Sequence, residues 1–226
     1  MTRKVYKHQN IGSYKPNKWS KMITKKQLKI FEVFARNPFK KFAVNAIKRL
    51  SKEKSNNALT IAMKQFLNEK IVSKEEIGRN HLYHINLNSE EVYGYISILN
   101  SNLSDNIKKI INQLAKEIEK HICFYSIVIF GSYALMKQTR DSDLDIAIFI
   151  ADKNKIKQLQ AAVNSIKLKS ALKIDAHIIT SSEFREMLLA DYENLGKEIA
   201  RKNMPVSNPK IFYSIIQGAI KNGSFI

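Results

Sequence analysis

Apolar residues recur at helical spacing in three segments of the N-terminal half. The first stripe contains Phe31 and Phe34 and begins after Thr24, a residue type that commonly caps helices. A second stripe covers residues 44–50, and a third follows Ser55, another common capping residue. This pattern predicts three short helices in the first third of the chain.

Other segments alternate between apolar and polar residues, which is the spacing of strands. Residues 71–75 and 81–86 alternate on either side of a turn, which predicts a β-hairpin. Further along, the apolar runs at residues 126–130 and 172–179 are typical of buried strands. Residues 107–121 have the spacing of an amphipathic helix that packs on these strands.

The segment between the last two strands carries the most informative residues. Gly131-Ser132 ends the run at residues 126–130, and glycine lets an anion approach the backbone closely. A helix that begins at this pair would direct free backbone N–H groups and the Ser132 hydroxyl at that anion. Asp143 and Asp145 follow two residues apart, so in a strand their side chains share one face. Paired carboxylates beside a phosphate suit Mg²⁺, or Mn²⁺ in its place.

A third acid strengthens this interpretation. Asp175 is the only carboxylate in the run at residues 172–179, where alternation predicts a half-buried position. An unpaired buried carboxylate is costly, but a nearby metal ion and a hydroxyl nucleophile would give it a use as ligand and proton acceptor. The sequence therefore predicts a metal site formed by Asp143, Asp145 and Asp175.

These residues resemble the motif of the nucleotidyltransferase superfamily that includes DNA polymerase β, the CCA-adding enzymes and kanamycin nucleotidyltransferase, and most of all its minimal branch. The family pattern is a strand, Gly-Ser, a helix, Asp-x-Asp on the next strand and a third acid on a later strand. The residues that occupy these places are Gly131, Ser132, Asp143, Asp145 and Asp175. The resemblance is strong over about residues 108–180. It implies that Gly131 and Ser132 bind a nucleoside triphosphate, that the three acids hold Mg²⁺, and that Asp175 helps to deprotonate an acceptor hydroxyl.

The loop inside the motif departs from the family pattern. Many minimal members carry Arg-Gly where this chain has Leu135-Met136, and the loss of glycine removes a residue that easily takes φ > 0. The departure bears on the shape of the loop and on the nucleotide preference. Lys137 and Arg140 flank the acids and are candidates to neutralise triphosphate charge, with solvated loop cations as the alternative.

The chain has 226 residues and a formal net charge of +18, and this charge is unevenly distributed. Residues 1–121 hold 24 basic and 10 acidic residues, whereas residues 122–226 hold 14 and 10. Residues 1–29 contain nine basic residues and no acid, which is typical of an arm that follows phosphates or of a solvated tail. Because 31 of the 38 basic residues are lysine, a biased genome composition is an alternative source of the excess.

The N-terminal order of helix, short extended segment, helix, turn, helix and hairpin resembles the winged helix-turn-helix family over about residues 23–88. In that family the third helix enters the DNA major groove and the wing touches the backbone or the minor groove. The resemblance implies that DNA or RNA is contacted by outward residues of the third helix and by the wing tip, namely Asn56, Asn57, Thr60, Lys64, Gln65 and Arg79. Winged helices also serve as dimerisation or protein-docking modules, so a homodimer and a partner protein stay open as alternatives.

The predicted fold class is α+β, with a winged helix-turn-helix domain followed by a nucleotidyltransferase α/β domain that has a mixed sheet and C-terminal helices. The predicted boundaries are a basic arm at 1–22, the winged helix at 23–88, a linker at 89–106 and the nucleotidyltransferase domain at 107–226. No apolar run approaches the ~18 residues of a membrane span, and the N-terminus lacks the apolar core of a signal peptide. We therefore expect a cytoplasmic protein without membrane contact.

The predicted function is Mg²⁺-dependent transfer of a nucleoside monophosphate to an acceptor hydroxyl on a protein, an RNA or a small molecule. One alternative is a DNA-binding regulator whose nucleotidyltransferase domain only senses nucleotide, and the presence of the third acid, Asp175, argues against it. A second alternative is a glycosyltransferase that uses Asp-x-Asp to hold a metal ion and a sugar nucleotide. The Gly-Ser pair at a fixed distance upstream argues against that class.

Overall fold

The computed structural model describes residues 23–223, so the predicted basic arm at residues 1–22 lies outside the described residues. The helices of the N-terminal part are α1 (Lys25–Ala35), α2 (Val44–Ser51), α3 (Asn56–Asn68) and α4 (Glu90–Asn100). The strands of this part are β1 (Val72–Ile77) and β2 (Asn80–Ile85), which pair as an antiparallel hairpin.

The C-terminal part is a four-stranded sheet with helices on both faces. Its helices are α5 (Asp105–Glu119), α6 (Gly131–Ala134), α7 (Ile156–Lys169), α8 (Ser181–Leu189), α9 (Leu195–Arg201) and α10 (Pro209–Lys221). Its strands are β3 (Tyr125–Phe130), β4 (Leu144–Ile150), β5 (Ile174–Thr180) and β6 (Asn203–Ser207). A single 3₁₀ turn, Lys153–Lys155, precedes α7.

The N-terminal elements form where the local sequence signals place them. Thr24 caps α1 in a capping box with Gln27, and the Ser55 hydroxyl caps α3. Phe42 pairs with Tyr83 of β2 through two backbone hydrogen bonds of 2.8 Å, so the extended segment before α2 joins the hairpin. The order of elements is the one that the winged-helix resemblance requires, and membership of that family stays a prediction.

The segment at residues 89–106, predicted as a linker, contains a packed helix. Val92 and Ile96 of α4 are buried in the same core as the residues of α1 and α3. At the other end of α4, the Asn100 side chain donates a hydrogen bond of 2.8 Å to the backbone carbonyl of Pro205 in β6. This segment therefore connects the two parts by packing against both of them.

One continuous apolar core joins the N-terminal part to one face of the sheet. The ring of Tyr213 in α10 lies 6.2 Å from the ring of Phe39 and 6.4 Å from the ring of Tyr93, measured between centroids. On the sheet side, Phe212 of α10 packs against Phe149 of β4 at 5.2 Å. Helix α10 thus connects the two parts through buried aromatic contacts, each of which favours association beyond its buried area.

The sheet has the strand order β5-β4-β3-β6. β3 runs antiparallel to β4 and β6, whereas β4 and β5 are parallel. Alternate residues of β4 point to opposite faces, so Ile146 and Ile148 pack with α5 and α7 while Ala147 and Phe149 pack with α8 and α10. No helix among residues 23–223 is both long and apolar enough to cross a membrane.

Candidate active site

One edge of the sheet collects the residues that the sequence motif predicts. β3 ends at this edge, and β4, β5 and β6 begin there, because β3 is antiparallel to β4 and β6 while β4 is parallel to β5. Gly131 follows the end of β3, and Asp143 precedes the start of β4. Asp145 and Asp175 are direct neighbours in the β4–β5 register. The structure therefore brings the glycine and all three aspartates together.

Asp145 is the most perturbed acid of this group. Burial raises the pKa of its carboxyl, and the negative charges of Asp175, Asp143 and Glu198 raise that pKa further. Within the described part of the chain, Asp145 makes no hydrogen bond and no ion pair. A half-buried carboxylate among like charges is costly in the ligand-free protein, and a bound cation would remove that cost.

Position 131 requires glycine because of its backbone conformation and because the Asp145 carboxylate lies close to it. Its φ of +66° lies in the left-handed region, which residues with a Cβ atom avoid. A Cβ atom built at this position would lie 2.2 Å from Oδ2 of Asp145. The sequence predicted that an anion approaches this glycine closely, and in the structure the nearest anionic group is the Asp145 carboxylate.

Asp143 and Asp175 each have a basic partner. Oδ2 of Asp143 lies 2.7 Å from Nζ of Lys173, and the hydrogen bond to Asp143 together with the Asp143 charge raises the pKa of that lysine. Oδ2 of Asp175 lies 3.0 Å from Nε2 of His177. The Asp175 side chain is 51% exposed. The half-buried, unpaired position predicted for Asp175 is therefore wrong, because β5 is an edge strand and His177 shares its exposed side.

The three aspartates do not form a ready metal cage. Among the residues that the structure describes, no group of three or more His, Cys, Asp or Glu side chains is arranged to hold a metal ion. The donor set nevertheless suits a hard divalent cation, because carboxylate oxygens are its preferred ligands and no described residue pairs with Asp145. Ligation by all three acids stays a prediction, and in it the metal ion competes with Lys173 for the Asp143 carboxylate.

The loop after Gly131 keeps a left-handed residue without a glycine. Met136 has φ +54°, so it adopts the conformation for which a glycine is usual. The backbone N–H of Lys137 donates a hydrogen bond of 2.9 Å to the carbonyl of Ser132, which closes this turn. Helix α6 consists of four residues, so the predicted helix does begin at Gly131 but is a single turn with a small dipole.

The predicted phosphate-binding side chains surround this loop at the surface. Ser132 is half-buried, whereas Lys137 and Arg140 are exposed. Neither of these two cations forms an ion pair with any residue in the range 23–223. The structure thus leaves both cations available but does not join them to the acids.

Sequence reasoning missed two charged residues of this site. Lys173 immediately precedes β5, and the parallel register places it beside Asp143. Glu198 belongs to α9, interacts electrostatically with Asp145 and forms an ion pair of 3.1 Å with Lys202. Lys173 was foreseeable from its position before Asp175 once the strands were paired, whereas no local signal points to Glu198.

The candidate nucleic-acid residues lie on the surface of the N-terminal part. The side chains that are exposed are those of Asn56, Asn57, Thr60 and Lys64 on α3 and of Arg79 at the hairpin turn. Gln65 is different, because its amide is held between Gln27 at 2.6 Å and Glu69 at 2.7 Å. Its side chain is committed within the fold, so we omit it from the proposed contact surface.

A cluster of basic residues lies beside the start of α3. It is formed by Lys48, Arg49, Lys52 and Lys54, which line one side of an open depression together with Asn45 and Glu53. Nζ of Lys48 contacts Oδ1 of Asn56 at 2.5 Å, which links this cluster to the first residue of α3. None of these four cations is among the residues predicted from the sequence to contact nucleic acid.

The comparisons with known proteins bear on the C-terminal part. The family model of the nucleotidyltransferase domain matches residues 105–206. No curated protein and no solved structure gave a significant match. The matched residues include β3 to β5 and most of β6, and therefore the whole acidic cluster with its glycine. The match supports the nucleotidyltransferase superfamily for residues 105–206.

Proposed function

We propose that this chain is a metal-dependent enzyme that transfers a nucleoside monophosphate from a nucleoside triphosphate to an acceptor hydroxyl. Nucleotidyl transfer in general is supported by the domain match at residues 105–206. The observation that carries the finer proposal is the position of Asp145, which lies half-buried against Gly131 and between Asp143 and Asp175 and has no ion-pair partner among residues 23–223. Such a carboxylate cluster has an obvious use where a divalent cation and a phosphate meet.

In this proposal the three aspartates hold Mg²⁺, or Mn²⁺ in its place. When bound, the ion supplies positive charge to the triphosphate and to the attacking and leaving oxygens. The Ser132 hydroxyl and the backbone N–H groups of α6 bind the phosphates, and Lys137 and Arg140 neutralise part of their charge.

Asp175 accepts the proton of the acceptor hydroxyl in the proposed reaction. The acceptor oxygen forms a bond to the α-phosphorus, the bond from that phosphorus to the bridging oxygen breaks, and pyrophosphate leaves. The hydrogen bond from His177 to Asp175 supports this role, because it orients the carboxylate that receives the proton.

We further propose that the N-terminal part binds DNA or RNA. Exposed Asn56, Asn57 and Lys64 lie on α3, and the basic cluster of α2 and the following turn adjoins its start. Four cations beside a helix that offers amide groups suit a phosphate backbone together with base edges.

Labelled nucleotides provide the direct test. The purified protein is incubated with each α-phosphate-labelled nucleoside triphosphate, Mg²⁺ and cell extract, and the label is followed into RNA, protein and small molecules. We expect one acceptor class to gain label, and we expect neither chelator-treated wild type nor Asp145→Asn to transfer it. Nucleotide binding without any transfer would refute the proposed enzymatic activity and would favour a regulator that only senses nucleotide.

A further inference from the structure

Lys173 lies beside the first acid of the cluster because the backbone places it there. Its carbonyl accepts a hydrogen bond of 2.8 Å from the backbone N–H of Leu144. Leu144 directly follows Asp143, so the lysine and the acid stand side by side where β4 and β5 begin. The ammonium nitrogen then reaches Oδ2 of Asp143 at 2.7 Å.

The ion pair with Lys173 distinguishes the surroundings of Asp143 from those of Asp145. Asp145 makes no ion pair with any residue in the described range, whereas Asp143 has an ammonium group in direct contact. The Lys173 side chain is 80% exposed, and Asp143 is its ion-pair partner within the described range. A long, flexible lysine in such a place can change partner at low cost.

A divalent cation and this ammonium group compete for the negative charge of the same carboxylate. Mg²⁺ binds carboxylate oxygens at 2.0–2.1 Å and carries twice the charge of the ammonium group. With such an ion bound at Asp143, the Lys173 ammonium would be repelled and its hold on Asp143 would weaken. The triphosphate that accompanies the ion brings new oxygen acceptors to the same edge of the sheet.

We propose that Lys173 exchanges partners during nucleotide binding: it neutralises Asp143 in the ligand-free protein and contacts a phosphate oxygen of the bound triphosphate. This inference rests on the proposed function, since it requires a triphosphate at this site. It makes Lys173 a nucleotide-positioning residue in addition to Lys137 and Arg140. The ion pair with Lys173 also reduces the repulsion among the aspartates for as long as no metal ion is bound.

Two binding measurements on the full chain test the exchange. The first is the affinity of the nucleotide-free protein for Mn²⁺, followed by the electron paramagnetic resonance signal of the free ion. The second is the affinity for a non-hydrolysable triphosphate analogue with Mg²⁺, measured by calorimetry. The variants are Lys173→Met, Lys173→Arg and the matched control Lys169→Met, which removes an exposed lysine four residues earlier.

We expect Lys173→Met to bind Mn²⁺ about two- to five-fold more tightly, because a competing surface ion pair is gone. The same variant should bind the triphosphate analogue about ten-fold more weakly or worse, because a charged hydrogen bond is lost. Lys173→Arg should keep most of the analogue affinity, and Lys169→Met should match wild type in both measurements. A residue with a merely structural role would not move the two affinities in opposite directions.

Unchanged or weaker Mn²⁺ binding by Lys173→Met, or unchanged affinity for the analogue, overturns the exchange. If wild type transfers nucleotide while Lys173→Met shows no such split, this inference alone fails. If Lys173→Met shows the split but wild type transfers nothing to any acceptor, the exchange stands and the proposed enzymatic activity fails. Wild type that binds neither Mn²⁺ nor the analogue refutes both.

Discussion

Replacing Gly131 with alanine tests whether the glycine serves Asp145. The substitution adds one methyl group at a backbone φ of +66° and directs it at Oδ2 of Asp145 from 2.2 Å. Gly78 offers a matched control, because its φ of +59° is similar and an added Cβ atom meets nothing within 4 Å. Both alanines adopt the same unfavourable conformation, and only one of them displaces the acid.

The backbone strain at positive φ and the displacement of the Asp145 carboxylate have different magnitudes. A left-handed alanine costs about 1–2 kcal/mol, so both variants should lose that amount of unfolding free energy. In Gly131→Ala the carboxylate must also move by roughly 1 Å to reach an ordinary contact of 3.4 Å. The atom that yields is the end of a side chain, so the further loss is at the low end of overpacking, about 1 kcal/mol. A displacement of that size in a catalytic group slows transfer on the order of 10²-fold.

Three measurements separate these effects: thermal unfolding without metal, Mn²⁺ affinity and nucleotidyl transfer. For a chain of this length, 1 kcal/mol corresponds to about 2–4 °C in Tm. We expect Gly78→Ala to melt a few degrees lower with full transfer, and Gly131→Ala to melt lower still with little transfer and weak Mn²⁺ binding. If Gly131→Ala transfers as well as Gly78→Ala does, the contact with Asp145 has no functional role and our interpretation of the glycine is wrong.

Three further predictions concern the acids and the basic cluster. Burial and the neighbouring charges of Asp175 and Asp143 raise the pKa of Asp145 above its ordinary value of 3.8. The contribution of this group to stability is therefore fully present below pH 3.8 and is lost as the pH rises through the raised pKa. Asp145→Asn cannot ionise, and its stability relative to wild type should therefore increase from about pH 4 upward in metal-free melts; a pH-independent difference would contradict the assigned shift. Asp175→Asn should keep its affinity for the triphosphate but slow transfer on the order of 10²-fold, and an equal loss of affinity would make Asp175 a binding residue instead. In the full chain, exchange of both Lys48 and Lys52 for glutamine should reduce the salt slope of duplex DNA or RNA binding by about two, and an unchanged slope would remove the basic cluster from the contact surface.

The sequence predicts the N-terminal helices well because their signals are local. Thr24 and Ser55 are both capping residues with apolar stripes behind them, and both caps form in the structure. Helix α4 was missed, although Val92 and Ile96 have helical spacing, because the surrounding segment is of mixed polarity. What makes α4 a buried helix is packing against distant residues, such as the Asn100 contact with Pro205, and no local pattern contains that information.

The residues of the candidate site also fall into those that a local sequence pattern predicts and those that depend on distant packing. The aspartates and Gly131 were predictable because they match the order and spacing of a known family motif, and the strand pairing then brings them to one edge of the sheet. The partners of those acids depend on register and on helix packing, so Lys173 and Glu198 became visible only in three dimensions. The exposure of Asp175 was misjudged for a related reason, since alternation cannot distinguish an edge strand from a central one.

The connection between the two parts of the chain has a consequence for the proposed function. Tyr213 of α10 contacts Phe39 of the N-terminal part and donates a hydrogen bond of 3.1 Å to Oδ1 of Asn203. Asn203 pairs with Phe130, the residue before Gly131. A flexible linker would let a bound nucleic acid sample many positions, whereas these buried contacts hold α3 and the acidic cluster in one relative arrangement. A nucleic acid bound on α3 would therefore lie at a set distance from the triphosphate, and only acceptors that span this distance could react while bound there.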